Sequence, residues 1–274
     1  MKKNKLAIAG LVIIVFFIAV AIFAPYLTSY DPIEQLIWTE GFSVKLAPPS
    51  SEHLLGTDIY GRDILTRVLY GARISLKICI AAMGLSVSVG VVLGIMAGYY
   101  GGFVDDLISW LINVLYAFPF LLFIIAVVAF LPPSLILTFS AISLVYWMPI
   151  ARVVRGQVFS IKEKEYVLAA RAVGVSDIKI MFKHILPNVI APVIVQATLG
   201  MGTVIMVEAA LTYLGFGTQP PTPSWGYMIS SGQGYLASGE WWWAISPGIA
   251  IVLTVLGFNL FGDGLRDALD PRNN

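Results

Sequence analysis

EKEYVLAARAVGVSDIKIMFKHILP, residues 163–187, decides how this chain is built. It is a charged, amphipathic stretch set between long apolar runs. Hydrocarbon has no place for Glu163, Lys164, Glu165, Arg171, Asp177, Lys179 and Lys183, so the segment must lie in water or against another protein. The pattern predicts two short helices with a break. Glu163 and Glu165 favour a helix start, Arg171 favours its end, and Gly174 interrupts the run. Ser176 is placed to cap a second start with Asp177 beside it. Lys183 and His184 suit the end of that second helix, and Pro187 is expected to stop it. Val167, Ala170, Val173, Ile178, Met181 and Ile185 give the pair an apolar side that requires a partner.

The surroundings explain why such a segment stands out. The chain has 274 residues, of which 58% are hydrophobic and only 12% charged, and its mean hydropathy is +0.84. Soluble domains carry about 25% charged residues, so the composition is that of a polytopic membrane protein. A net charge of +1 gives no sign of nucleic-acid binding. The single Cys79 lies in an apolar run, which excludes a disulfide framework or cysteine metal site within the chain. His53 and His184 fall in loops at opposite ends of the topology, so no histidine metal centre is expected, and no cofactor.

A bilayer core takes roughly 20 apolar helical residues. Runs at about 6–25, 74–98, 107–131, 134–152, 189–213 and 244–262 meet that length, giving an all-α integral membrane protein with six transmembrane helices. The first run exceeds the h-region of a signal peptide and is read as a retained span. Lys2, Lys3 and Lys5 precede span one, while Arg152, Arg155, Lys162, Lys164, Arg171, Lys179 and Lys183 lie between spans four and five. With Arg266 and Arg272 after span six, most of the 17 lysines and arginines fall on one side, which is assigned to the cytoplasm together with both termini. Lys45, Arg62, Arg67 and Arg73 are the opposing residues, in the 26–73 loop outside. The expected organisation is a span plus extracytoplasmic loop over 1–73, a transmembrane core over 74–262 containing a cytoplasmic loop at 153–188, and a cytoplasmic tail at 263–274.

Within span two, Gly90, Gly94 and Gly98 repeat every four residues, so one helix face is open to close approach, within the subunit or between subunits. Pro119, Pro149, Pro192 and Pro247 sit inside or near spans and can kink them. Glu208 is the charge well inside a span, either a cavity residue or a structural one bonded to its neighbours. Asp105 and Asp106 read as helix-end residues on the cytoplasmic side. Trp241, Trp242 and Trp243 precede span six, where indoles favour the membrane interface. Arg62, Arg67 and Arg73 read as interfacial arginines that reach headgroups or pair with Asp58 and Asp63. No G-x-x-x-x-G-K-[ST] phosphate loop, HExxH or GxSxG occurs, so the chain is not expected to be an enzyme by itself.

Three blocks resemble one family. Ala169-Ala170, Gly174 and Leu186-Pro187 are similar to the "EAA" loop of ABC-importer permeases, with Leu168 where the name-giving glutamate is expected and His184 where isoleucine is common. Residues 53–76, HLLGTDIYGRDILTRVLYGARISL, resemble the GTDxxGRDxxSRxxxGxRxSL signature of the dipeptide, oligopeptide and nickel class, with Thr66 for the usual serine. LTYLGFGTQPPTPSWGYMI and the stretch from Trp241 to Arg272 resemble that class's C-terminal signature. The resemblance implies a type I ABC importer permease fold in the cell membrane. It implies a coupling loop carrying Glu165, Ala169, Ala170, Arg171, Gly174, His184, Leu186 and Pro187. The implied partners are a second permease subunit in a heterodimer, two ABC ATPase subunits and an extracytoplasmic substrate-binding protein. The implied cargo is a di- or oligopeptide, or alternatively nickel or a metal chelate. An ATP-independent secondary transporter would need titratable relays, for which Glu208 alone is a thin basis. A membrane scaffold would leave the amphipathic loop unexplained.

Overall fold

The computed structural model describes residues 5–269, so Lys2, Lys3 and Arg272, used above for orientation, lie outside the described residues. Its elements are α1 (Lys5–Leu27), α2 (Ile64–Tyr100), α3 (Gly102–Tyr116), α4 (Phe120–Val128) and α5 (Leu135–Ile161). Then come α6 (Glu165–Ala172), α7 (Asp177–Ile180), a π turn (Met181–Ile185), α8 (Leu186–Tyr213), α9 (Trp225–Gly232) and α10 (Trp242–Leu269). Among the described residues the β structure is limited to an isolated bridge between Thr57 and Asp63.

Local chemistry sets the helix ends. Asp63 accepts from the Thr66 N–H at 2.7 Å to open α2, and Ser134 accepts from the Leu137 N–H at 3.1 Å to open α5. Gly101, with φ of 65°, ends α2 in the left-handed region that disfavours a side chain.

The glycine stripe of α2 lies against α5. A Cβ at Gly90 would meet the Trp147 carbonyl at 2.7 Å, one at Gly94 the Ala151 carbonyl at 2.7 Å, and one at Gly98 the Val158 Cβ at 2.6 Å. Backbone-to-backbone approach is what holds two helices together where lipid removes the hydrophobic drive. α1 crosses α10 by the same means: a Cβ at Gly10 would lie 2.8 Å from the Gly257 carbonyl.

Three expectations are corrected. The run expected as one span at 107–131 is two helices, α3 and α4, bent by 87° at their break, so the described residues hold five helices long and apolar enough to cross a membrane, or the expected six spans if the bent pair is one. Pro119 is the residue before α4; it lacks the N–H needed to carry α3 onward. α2 is 37 residues long and starts at Ile64, ten positions before the apolar run at 74. Its first turns are packed under a cap formed by residues 28–63 and 214–241, where Trp225 is wholly buried and donates from Nε1 to the Val68 carbonyl at 2.9 Å. Of the three tryptophans expected at the interface, Trp242 and Trp243 are buried in that cap, Trp242 donating to the Thr57 carbonyl at 3.1 Å, and only Trp241 is exposed.

Candidate coupling segment and the cap at the opposite end

α5 and α8 both run toward the 162–187 segment, and only Lys162, Glu163 and Lys164 separate α5 from α6. The predicted break is present: α6 stops at Ala172, and Gly174 turns the chain with φ of 79°. Nothing lies within 4 Å of a Cβ placed there, so only the backbone conformation selects glycine. Ser176 occupies the position before α7 with extended φ and ψ, but its side chain makes no capping bond; its carbonyl accepts from the Ile180 N–H instead.

Pro187 does not stop the second helix. α7 passes through the π turn straight into α8, and Pro187 falls in the first turn of α8, where a missing N–H is tolerated. The second half of the segment is therefore continuous with a membrane span rather than a separate helix.

The apolar side expected of the segment divides: Val167, Ala170 and Ile185 are buried against the protein's own helices, Met181 is half-buried, and Val173 and Ile178 are 79% and 65% exposed. Two residues outside that expectation join them, Ile180 on the buried side and Phe182, 65% exposed, on the open one. Glu165, Ala169 and Arg171 are also exposed, His184 and Leu186 are half-buried, and the His184 ring lies 6.3 Å from that of Tyr166.

Tyr99, at the last turn of α2, fastens the segment, and sequence reasoning did not single it out. Its hydroxyl donates to Asp177 Oδ1 at 2.6 Å, and the Arg171 guanidinium lies 5.2 Å from its ring centroid. Contact with the Tyr99 hydroxyl holds Arg171 above the ordinary guanidinium range. Lys162 Nζ adds a bond to the Gly98 carbonyl at 2.9 Å. An aromatic at the end of a span beside a loop carboxylate is the faint signal that sequence offered. Asp105, read only as a helix-end residue, takes a two-pronged bond from Arg155, joining α3 to α5, and Arg152 reaches Asn113 at 2.8 Å.

Glu208 is wholly buried between α8 and α2. Its carboxylate accepts from Ser75 Oγ at 3.0 Å and Thr212 Oγ1 at 3.0 Å. Ser75 lies on α2 and Thr212 one turn along α8, so the two hydroxyls address different oxygens of the same group.

In the cap, Arg62 and Arg67 are buried rather than at the interface with lipid. Arg62 Nε donates to Asp58 Oδ2 at 2.7 Å, and the Tyr60 and Arg62 N–H groups bond Asp58 Oδ1 at 2.8 and 3.1 Å. Arg67 Nη1 reaches the Pro32 carbonyl at 2.5 Å, while its Nε lies 4.0 Å from Asp58. Asp63 pairs with His53 Nδ1 at 3.0 Å rather than with an arginine. Arg73 stays half-buried over the Tyr70 ring.

The geometry is that of a known transporter component. The family described as "binding-protein-dependent transport system inner membrane component" matches residues 90–274, and "N-terminal TM domain of oligopeptide transport permease C" matches residues 1–49. The dipeptide transport system permease protein DppC of Alkalihalophilus pseudofirmus is 50% identical over 99% of this chain and 88% of its own length. DppC of Escherichia coli is 44% identical over 99% of this chain and 90% of its own. The oligopeptide transport system permease protein OppC of Bacillus subtilis is 42% identical over 99% and 87%. Among solved structures, the MetNI methionine ABC transporter in an inward-facing conformation superposes with a TM-score of 0.58 at 17% identity, over 75% of this chain and 97% of that one. An amino acid ABC transporter gives a TM-score of 0.57 at 16% identity, over 75% and 95%. At that identity the likeness shows the fold alone, which is the type I ABC importer permease fold. The chain belongs to the binding-protein-dependent inner membrane components, multi-pass permeases of the cell membrane that serve ABC importers alongside a separate ATPase and a substrate-binding protein.

Proposed function

We propose that this chain is one of two permease subunits of an ATP-driven peptide importer, with both termini in the cytosol, and that residues 165–187 couple it to a pair of ATPase subunits. The observation that carries this reading is the uncovered apolar group of Val173, Ile178 and Phe182, raised on a charged segment that membrane cannot accept. Relatives named for dipeptide and oligopeptide transport support the peptide cargo.

The mechanism follows from how the segment is joined to the bundle. ATP binding draws the ATPase pair together and displaces the docked segment. α7 meets α8 through a π turn and no loop, so the displacement passes to α8 as a tilt. α6 meets α5 through three residues, so the same push reaches the neighbouring span. The segment makes different contacts in the two states of the ATPase pair, which is what allows ATP to bias cavity access. Gly90, Gly94 and Gly98 keep α2 and α5 in close contact as one moving unit. Glu208 serves that unit structurally, through Ser75 and Thr212, rather than by touching cargo.

The test uses the complete complex in proteoliposomes, with a labelled dipeptide and ATP. Gly174→Leu, which forces a side chain into the left-handed region, is expected to lower uptake per ATP hydrolysed by about tenfold. Normal coupling in that variant refutes the role of the segment. Uptake of Ni²⁺ in place of dipeptide by the unaltered complex refutes the cargo.

A further inference from the structure

A groove runs between α5 and α8 from the middle of the bundle to the end that bears the coupling segment. On α5, Tyr146, Pro149, Gln157 and Ser160 recur at helical spacing on one face, and Lys164 lies just past the helix. On α8, Thr203, Gln196 and Asn188 form the opposite wall. Three cavities make up the groove in series. The widest, about 570 Å³, opens at Lys164 and at Arg266 of α10. It shares Gln196 with a narrower one of about 180 Å³. That one shares Tyr146 and Pro149 with a third of about 320 Å³, lined by the aromatic residues at the α3–α4 break.

The lining has a one-sided charge. Among the described residues, Lys164 and Arg266 are its ionised groups, and no carboxylate of those residues lines any of the three cavities. Glu163, Glu165, Asp263 and Asp267 lie close in sequence to the two cations but outside that lining. Between the cations and the aromatic end stand side-chain amides, which donate and accept alike.

We propose that this groove is the chain's half of the cargo passage and that it favours solutes of negative over positive side-chain charge, with Lys164 and Arg266 drawing a carboxylate toward the cytosolic mouth. The inference rests on the importer reading above and deepens it. Gln157, Asn188 and Gln196 exchange hydrogen bonds with a peptide backbone in passing, and no cluster of charges is present to trap it. The aromatic end accepts apolar side chains. A free divalent cation finds no oxygen anion to replace its water and meets two like charges at the exit. A phospholipid phosphate could occupy the same two cations, so the experiment separates the two sources.

The experiment compares labelled Ala-Asp and Ala-Lys in the complete complex with its ATPases and binding protein, with uptake expressed per ATP. Arg266→Glu and Gln196→Glu are each expected to lower the Ala-Asp to Ala-Lys ratio by about fivefold, because each sets a negative charge beside the passing carboxylate. Gln196→Lys is expected to raise the ratio, and Arg266→Lys to leave it unchanged. An unaltered ratio in all the charge-changing variants overturns the proposal, whatever happens to total uptake. So does dissociation of the second permease subunit in both Gln196 variants, which makes the groove a subunit interface. Loss of bound phospholipid from Arg266→Glu with the ratio intact makes the mouth a lipid site and also overturns it. An unaltered complex that imports neither dipeptide takes down the peptide reading itself, a result distinct from an unmoved ratio.

Discussion

The cap and the coupling segment hold the same kinds of residue and treat them in opposite ways. In the cap, Asp58, Arg62, Asp63, Arg67 and His53 are all buried, and they pair with one another or with backbone. Three indoles, those of Trp225, Trp242 and Trp243, are buried with them. In the segment, Glu165, Arg171 and Lys179 are exposed, and Val173, Ile178 and Phe182 face outward. The cap's ionised groups find their counter-charges or carbonyls within this chain, although His53 Nε2 and Arg67 Nε and Nη2 are buried without a hydrogen-bond partner, whereas the segment leaves Val173, Ile178 and Phe182 uncovered. A charge cluster is thus no guide to a docking site until it is known whether its charges have already found partners.

The largest expected effect tests the closed side of this contrast. Asp58→Ala leaves Arg62 buried without its anion and removes the nearest one to Arg67. The loss is expected to be about 3–5 kcal/mol, or a fall of about 10 °C in unfolding temperature. Cys79 is the single cysteine and is wholly buried, so its reaction with a thiol-sensitive dye on heating in detergent reports the transition. An unmoved transition breaks the contrast, since the cap's charges would then be idle. Phe182→Ser tests the open side. Its unfolding temperature is expected to stay within about 1 °C, because Phe182 is 65% exposed, while affinity for the ATPase pair weakens by about 2 kcal/mol. Copurification of the ATPase at graded detergent wash measures the second quantity.

How much of this was legible in the sequence depended on whether lipid or protein surrounded each residue. Long apolar runs announce spans because hydrocarbon imposes both length and composition. The helix–break–helix at Gly174 was also legible, since φ of 79° is a demand that glycine meets locally. Hydropathy placed the start of α2 too late because Thr66, Arg67 and Tyr70 are polar residues of a helix enclosed by the cap. Trp242 and Trp243 misled for the same reason. An indole beside a span signals an interface only if no protein covers it, and here the cap does. Pro187 was read as a stop although the first turn of a helix accepts proline, and the π turn before it left no spacing that marks a junction. Ion pairs such as Asp105 with Arg155 join residues fifty apart, and no local pattern forecasts them.

Glu208→Gln sharpens the contrast within the membrane layer, where a carboxylate has been closed off as in the cap. The amide keeps one acceptor for Ser75 or Thr212 but turns a donor toward the other hydroxyl. A loss of about 1–2 kcal/mol is expected, read as an earlier Cys79 reaction, with no change in which dipeptides are carried. A changed cargo preference at equal stability would move Glu208 from the closed class to the open one.

Tyr99→Phe carries the smallest expected effect and asks where the open region begins. The substitution removes the 2.6 Å bond to Asp177 but keeps the ring beneath Arg171, and Arg171 and Asp177 remain close enough to attract one another. One hydrogen bond to a carboxylate at a half-exposed site contributes about 1 kcal/mol, and part of that is recovered by water. The unfolding temperature is therefore expected to hold within about 2 °C, while amide exchange over residues 165–180 quickens severalfold as the segment loosens from α2. Both readings matter together. A segment that couples as proposed must be fastened well enough to transmit a push and loosely enough to move, so its local opening should respond without the bundle unfolding earlier. A global destabilisation as large as that of Asp58→Ala would mean that the segment belongs to the same cooperative unit as the cap, and the two ends of the protein would no longer differ in kind.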